Sequence, residues 1–208
     1  GQLELTSGPG VAITSFTQDD LDNGLVIYVH DGSETVSDTF DFTLSDGNST
    51  LAADTFNITV TPVDDAPTLD ANAGLTLDEG TTAGITTAEL SGSDPDTAAT
   101  SLVYTITSAP ANGQLELTSG PGVAITSFTQ DDLDNGRVVY VHNDSETTSD
   151  SFDFTLSDGN TTLTSDTFAI TVTPVNDAPQ LTVTNPGAIL EGGTASIDGS
   201  VLAGTDAD

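Results

Sequence analysis

Residues 39–47 read Thr39-Phe40-Asp41-Phe42-Thr43-Leu44-Ser45-Asp46-Gly47. Phe40, Phe42 and Leu44 alternate with polar neighbours, the period of a strand with one apolar face. Asp46-Gly47 then gives a hairpin-type turn signal. Beyond it Phe56, Ile58 and Val60 alternate with Asn57, Thr59 and Thr61. Two half-buried strands around a tight turn are an antiparallel sheet. The same alternation appears at Val26/Tyr28 and at Leu102/Tyr104/Ile106. Between the strands, Thr17-Gln18-Asp19-Asp20 followed by Asn23-Gly24 predicts one capped helical turn stopped by glycine.

The hairpin stretch occurs twice. Gly1-Gln2-Leu3-Glu4-Leu5 returns as Gly113-Gln114-Leu115-Glu116-Leu117, and this offset of 112 runs without a gap to the end of the chain. Residues 1–65 and 113–177 share 54 identities in 65 positions, whereas 66–96 and 178–208 share 12 in 31. Among the 12 survivors are Glu79/Glu191, Asp94/Asp206 and Asp96/Asp208, so these acids persist where their surroundings change. Val63-Asp64-Asp65-Ala66-Pro67 and Val175-Asn176-Asp177-Ala178-Pro179 each follow a strand and end in proline, which forces the preceding residue extended. They read as linkers. The expected organisation is the C-terminal part of one repeat (1–65), a complete repeat (66–177) and the first part of another (178–208). Short, turn-punctuated strands in about 110 residues predict an all-β, immunoglobulin-like Greek-key sandwich, repeated in tandem.

Charge narrows the partners. The chain has 33 Asp and Glu against one basic residue, Arg137, for a net charge of −32. Such a surface repels nucleic acid and anionic lipid heads, and no long apolar run offers direct membrane insertion. Self-repulsion opposes compaction unless cations offset it. A merely solubilising acidic surface is one reading, and metal-ligating carboxylates are the other. Cysteine is absent, so there is no disulfide framework or thiolate site, and a secreted domain of this kind needs another staple.

Phe128-Thr129-Gln130-Asp131-Asp132-Leu133-Asp134-Asn135-Gly136, Tyr140-Val141-His142, Glu146, Asp150, Phe152, Phe154 and Ser157-Asp158-Gly159 resemble the chondroitin-sulfate-proteoglycan-type repeat of the cadherin-like group. That repeat is common in very large bacterial surface adhesins and in animal matrix proteins. The resemblance implies a cadherin-like sandwich, an extracellular or cell-surface location and calcium at repeat junctions. Calcium takes six to eight oxygen ligands, so several acids must meet from separate segments. Each period offers Glu79-Gly80, Asp94-Pro95-Asp96, Asn143-Asp144-Ser145-Glu146 and Asn176-Asp177. At the second junction the resemblance implies Glu79, Asp144, Glu146, Asn176, Asp177, Asp206 and Asp208. At the first it implies Glu34, Asp64, Asp65, Asp94 and Asp96. Gly32 stands where Asp144 does, which weakens the first set. The alternative for every group is turn chemistry, since Asp-Gly, Asn-Asp and Asp before Pro are ordinary turn formers.

No serine elbow, phosphate loop or metal-histidine motif occurs, and His30 and His142 occupy one strand-end position in two copies. An active site duplicated at near identity every 112 residues is a poor design for an enzyme and a good one for a spacer. The expected function is a calcium-rigidified extender repeat of a large extracellular adhesin or matrix protein. Its expected partners are calcium and neighbouring repeats. A self-assembling filament, in which like chains complete partial repeats, and a carbohydrate-binding module that takes surface glycans are the alternatives. The second lacks the usual aromatic platform, because there is no Trp and the Phe and Tyr fall on inward strand faces.

Overall fold

The computed structural model describes residues 1–185 and 188–207. The chain divides into two compact units, Gly1–Asp64 and Asp65–Asp208. The first contains β1 (Gln2–Leu5), α1 (Gln18–Asp22), β2 (Val26–Val29), β3 (Ser37–Phe42) and β4 (Asp54–Thr59). β1 pairs with β2 and β3 with β4, both antiparallel. The Thr17 side chain and the Asp20 carboxylate close the predicted capping box, and Gly24 follows with φ +64°.

The second unit begins with β5 (Thr68–Asn72), β6 (Leu75–Asp78), β7 (Thr82–Gly84), β8 (Leu90–Ser93) and β9 (Val103–Ser108). It continues with β10 (Gly113–Leu117), β11 (Ser127–Thr129), α2 (Gln130–Asp134), β12 (Val138–His142), β13 (Ser149–Ser157) and β14 (Asp166–Thr173). These elements make the all-β sandwich. One sheet has the order β11-β9-β13-β14-β6, the other β10-β12-β7, and β5 pairs with β8. From β9 to β13 successive strands alternate between the two sheets, so each strand lies beside one distant in sequence. β6 joins β14 in parallel, with Leu77 opposite Val172. Local alternation gives no sign of that pairing.

The inward positions of β9, β12, β13 and β14 supply Tyr104, Val138, Tyr140, Phe152, Phe154, Leu156, Phe168, Ile170 and Val172, all fully buried in one cluster. Phe152 stacks on Phe168 at a centroid distance of 5.0 Å, and Tyr104 on Phe128 at 4.9 Å. Leu133 of α2 closes one end of the cluster. Residues 1–64 carry the counterparts of the β12, β13 and β14 side chains without that cover. Phe42, Leu44 and Phe56 are 40%, 59% and 53% exposed, while their counterparts Phe154, Leu156 and Phe168 are 1%, 1% and 0% exposed. In the complete repeat the covering strands come from 68–108.

Residues 178–207 hold β15 (Gln180–Val183) and β16 (Leu202–Thr205). Leu181 pairs with Gly204, the register of Leu69 with Gly92 one period earlier. Gly92 has a steric reason. A Cβ there would fall 2.9 Å from the Thr68 carbonyl oxygen and 2.6 Å from Leu156 Cδ2.

A half-buried polar tie spans the two sheets. Tyr140 donates its hydroxyl proton to Asp150 Oδ2 at 2.8 Å, and the Ala111 and Asn112 amides donate to the same carboxylate at 3.0 and 2.9 Å. Burial pushes the Asp150 carboxyl up, but Tyr140 and the amides outweigh it and hold the group below the usual carboxylate value. A depressed folded-state value gives stability that is present above the ordinary value of 3.8 and lost as pH falls through the lower one. Chemical denaturation of wild type and Asp150→Asn should therefore differ most at neutral pH. The difference should narrow below about pH 4.

Candidate metal centre

Two carboxylate groups form in the second unit. The first lies where β6 ends. The Glu79 amide donates to the Thr173 carbonyl at 2.9 Å, continuing the parallel pairing past β14. This turns the Glu79 side chain inward, where it is 7% exposed. Its Oε2 accepts the Val175 amide at 3.2 Å, on the segment that leads into Asn176 and Asp177. Its Oε1 is buried and has no hydrogen-bond partner among the described residues. Gly80 takes a left-handed conformation, φ +67°. The Asp144 carboxylate lies directly over the Gly80 Cα, in the space a side chain would need.

Asp144 comes from the loop after β12. It is the non-glycine residue with positive φ, +66°, among those described. In that loop Asn143 Oδ1 accepts the Ser145 amide at 3.2 Å. Glu146 follows, exposed to solvent. The structure thus brings Glu79, Asp144 and the start of the linker together. Asn176 and Asp177 are exposed, and the Asn176 amide group donates to the Asp177 carbonyl. Asp206 is exposed just beyond β16, and Asp208 lies outside the described residues.

The second group follows β8. Asp94 Oδ1 accepts the amides of Asp96 and Thr97 at 3.0 and 2.8 Å, the local turn chemistry of an Asp before Pro. Its Oδ2 is buried and has no partner among the described residues. A hydrogen bond from the Asp96 carboxyl, helped by these amides, holds the Asp94 carboxyl below its ordinary value against the opposing effect of burial. Asp96 Oδ2 accepts the Asp65 amide at 3.1 Å, which ties the linker residue to this turn. In the first unit, Glu34 and Asp64 are exposed counterparts of Glu146 and Asn176. Among the described residues no three Asp, Glu or His side chains converge as a closed metal cage.

Both groups have a donor set that fits a hard divalent cation: carboxylate and backbone oxygens, two of them buried without partners. The single cationic side chain is elsewhere. Arg137 bonds Asp131 at 2.7 Å and Asp132 at 3.2 Å beside α2. Sequence reasoning missed Gln130, which is buried in α2. Its Oε1 accepts the Gly92 amide at 2.9 Å and the Tyr104 hydroxyl at 2.7 Å, and its Nε2 donates to Asp134 at 2.8 Å. The available signal was its place at the first helical position after a capping Thr in both copies.

A cadherin-like family model matches residues 1–60 and 67–172. The chain is 40% identical over 203 residues to human extracellular matrix organizing protein FRAS1, covering 90% of this chain and 5% of that protein. It is 39% identical over 164 residues to extracellular matrix protein 3 of Lytechinus variegatus, covering 78% of this chain and 5% of that protein. Human chondroitin sulfate proteoglycan 4 is 36% identical over 217 residues, covering 99% of this chain and 9% of that protein. The chain therefore spans a small fraction of these relatives. They are structural proteins of the matrix or cell surface, and they place this chain outside the cell. They are animal proteins, and a bacterial origin finds no support in them. No helix among the described residues is long and apolar enough to cross a membrane.

Proposed function

The chain belongs to the cadherin-like family, and from that premise we propose that it is a calcium-stiffened extender repeat of a large extracellular protein, supporting adhesion as a spacer. The observation that carries the calcium reading is Glu79. A carboxylate oxygen buried without a hydrogen bond costs about 1–3 kcal/mol or more. The opposite oxygen of the same group is spent on the linker amide of Val175. A bound cation removes that penalty and neutralises part of the surrounding negative charge. Glu79, Asp144, Glu146, Asn176, Asp177 and Asp206 would hold it, joined by Asp208 outside the described residues. Asp65, Asp94 and Asp96 would hold a second ion, for which the partnerless Asp94 Oδ2 is the corresponding support.

Calcium supplies charge and ligand bonds there. The chain's own residues turn Glu79 inward, set Asp144 over Gly80 and bind the linker to the sandwich. Without the ion, clustered carboxylates repel and the linker moves more freely. Calcium titration by calorimetry tests this reading. Glu79→Gln should weaken binding at least tenfold, while Asp22→Asn, on the surface of α1, should leave it unchanged. Equal affinity in wild type and Glu79→Gln would remove Glu79 from the site.

A further inference from the structure

We infer that His142, as its Nε2–H tautomer, is the positioning residue of the Glu79–Asp144 cation site. It joins the Glu79–Gly80 turn to the Asp144–Glu146 loop, and the inference rests on the calcium reading above. His142 is 4% exposed. Its Nδ1 accepts the Gly80 amide at 3.2 Å and the Asp144 amide at 3.3 Å. A ring nitrogen that accepts two N–H groups carries no proton of its own. The proton of the neutral ring is then on Nε2, facing Thr147 Oγ1 at 3.2 Å. The two amides come from segments 64 residues apart, and both belong to residues with left-handed backbones, Gly80 and Asp144. One imidazole thus fixes both halves of the carboxylate group.

Residues 1–64 separate the local part of this arrangement from the joint. There His30 Nδ1 accepts the Gly32 amide at 3.2 Å, and its Nε2 faces Thr35 Oγ1 at 2.9 Å. Histidine closing its own loop is therefore a local motif of both copies. The bond to Gly80 adds a side-chain tie to the backbone ones already there, Val141 pairing with Thr82 and the His142 amide donating to the Thr81 carbonyl at 3.1 Å. Gly32 has φ +80°, so the position is left-handed in both copies. Asp144 adopts that conformation at a steric cost that Gly32 avoids. A carboxylate placed over Gly80 is what the complete repeat gains from it.

Ligand-orienting partners of this kind typically change metal affinity by about 10–100-fold when removed. Three measurements on the full chain test the inference. In chelator, the Gly80 and Asp144 amides should exchange slowly in wild type. His142→Phe keeps a ring but no acceptor. It should speed exchange at both amides and weaken calcium binding at least tenfold. His142→Asn, whose Oδ1 can replace Nδ1, should restore slow exchange and bring affinity within about threefold of wild type. Fast exchange in wild type, or unchanged calcium affinity in His142→Phe, would overturn the positioning role. If His142→Phe fails to fold, wild-type exchange and the affinity of His142→Asn still decide the matter. A wild-type chain that binds no calcium while both amides are protected would instead remove the functional reading, and the cation role of His142 with it.

Discussion

Alanine at Phe154 should lower the unfolding free energy of the complete repeat by about 3–5 kcal/mol, whereas alanine at Phe42 should leave that transition where it is. The two residues hold the same place in the 112-residue period. Phe154 is 1% exposed and packs against Tyr104 at a centroid distance of 5.7 Å and Phe152 at 6.0 Å, so its truncation loses both ring contacts and leaves a cavity in the core. Phe42 is 40% exposed and is not part of that core cluster, so truncation there takes no contact away from it. Urea denaturation followed by far-ultraviolet circular dichroism measures both. The slope of the transition should stay constant while the midpoint falls for Phe154→Ala alone. Equal midpoint shifts for the two variants would mean that cover by residues 68–108 does not distinguish the copies.

Leucine at Gln130 should be nearly as damaging, at about 2–4 kcal/mol, although it makes the core more apolar. Gln130 Oε1 is the acceptor for both the Gly92 amide and the Tyr104 hydroxyl. Leucine leaves two buried donors unsatisfied, each costing about 1–3 kcal/mol. Both are held in place, Gly92 by the close approach of Leu156 and Tyr104 by its stack on Phe128. Gln18→Leu, at the exposed counterpart, is the control and should leave the same transition within about 0.5 kcal/mol of wild type. A Gln130→Leu variant as stable as wild type would show that these donors find water or another acceptor.

The alternation at Phe40/Phe42/Leu44 and its copy at Phe152/Phe154/Leu156 made the strands legible, because one buried face imposes period two directly on the sequence. The capped turn at Thr129 was legible for a similar reason, since its hydrogen bonds join residues three apart. The parallel pairing of β6 with β14 was not. Leu75-Thr76-Leu77 shows an amphipathic strand but cannot name a partner nearly a hundred residues away. The site divides along the same line. Glu79, Asp94 and Asp144 stood out as acids in suggestive positions. Glu79 turns inward where its amide meets the Thr173 carbonyl, and the Gly80 and Asp144 amides meet on a histidine whose alternation only marked it as a strand end. Turn chemistry, one of the two competing readings of Asp94, accounts for one oxygen of its carboxylate and leaves the other for the calcium proposal to explain. Oδ1 closes the turn and Oδ2 is left buried.

The most direct test of a calcium-stabilised repeat is scanning calorimetry of the intact chain in chelator and in calcium at about one hundred times its dissociation constant. Binding to the folded state alone should add about 2.7 kcal/mol per site. For a repeat of this size that corresponds to a rise in Tm of roughly 10 °C, with dependence on calcium concentration. An unfolding profile identical in chelator and in calcium would contradict the account.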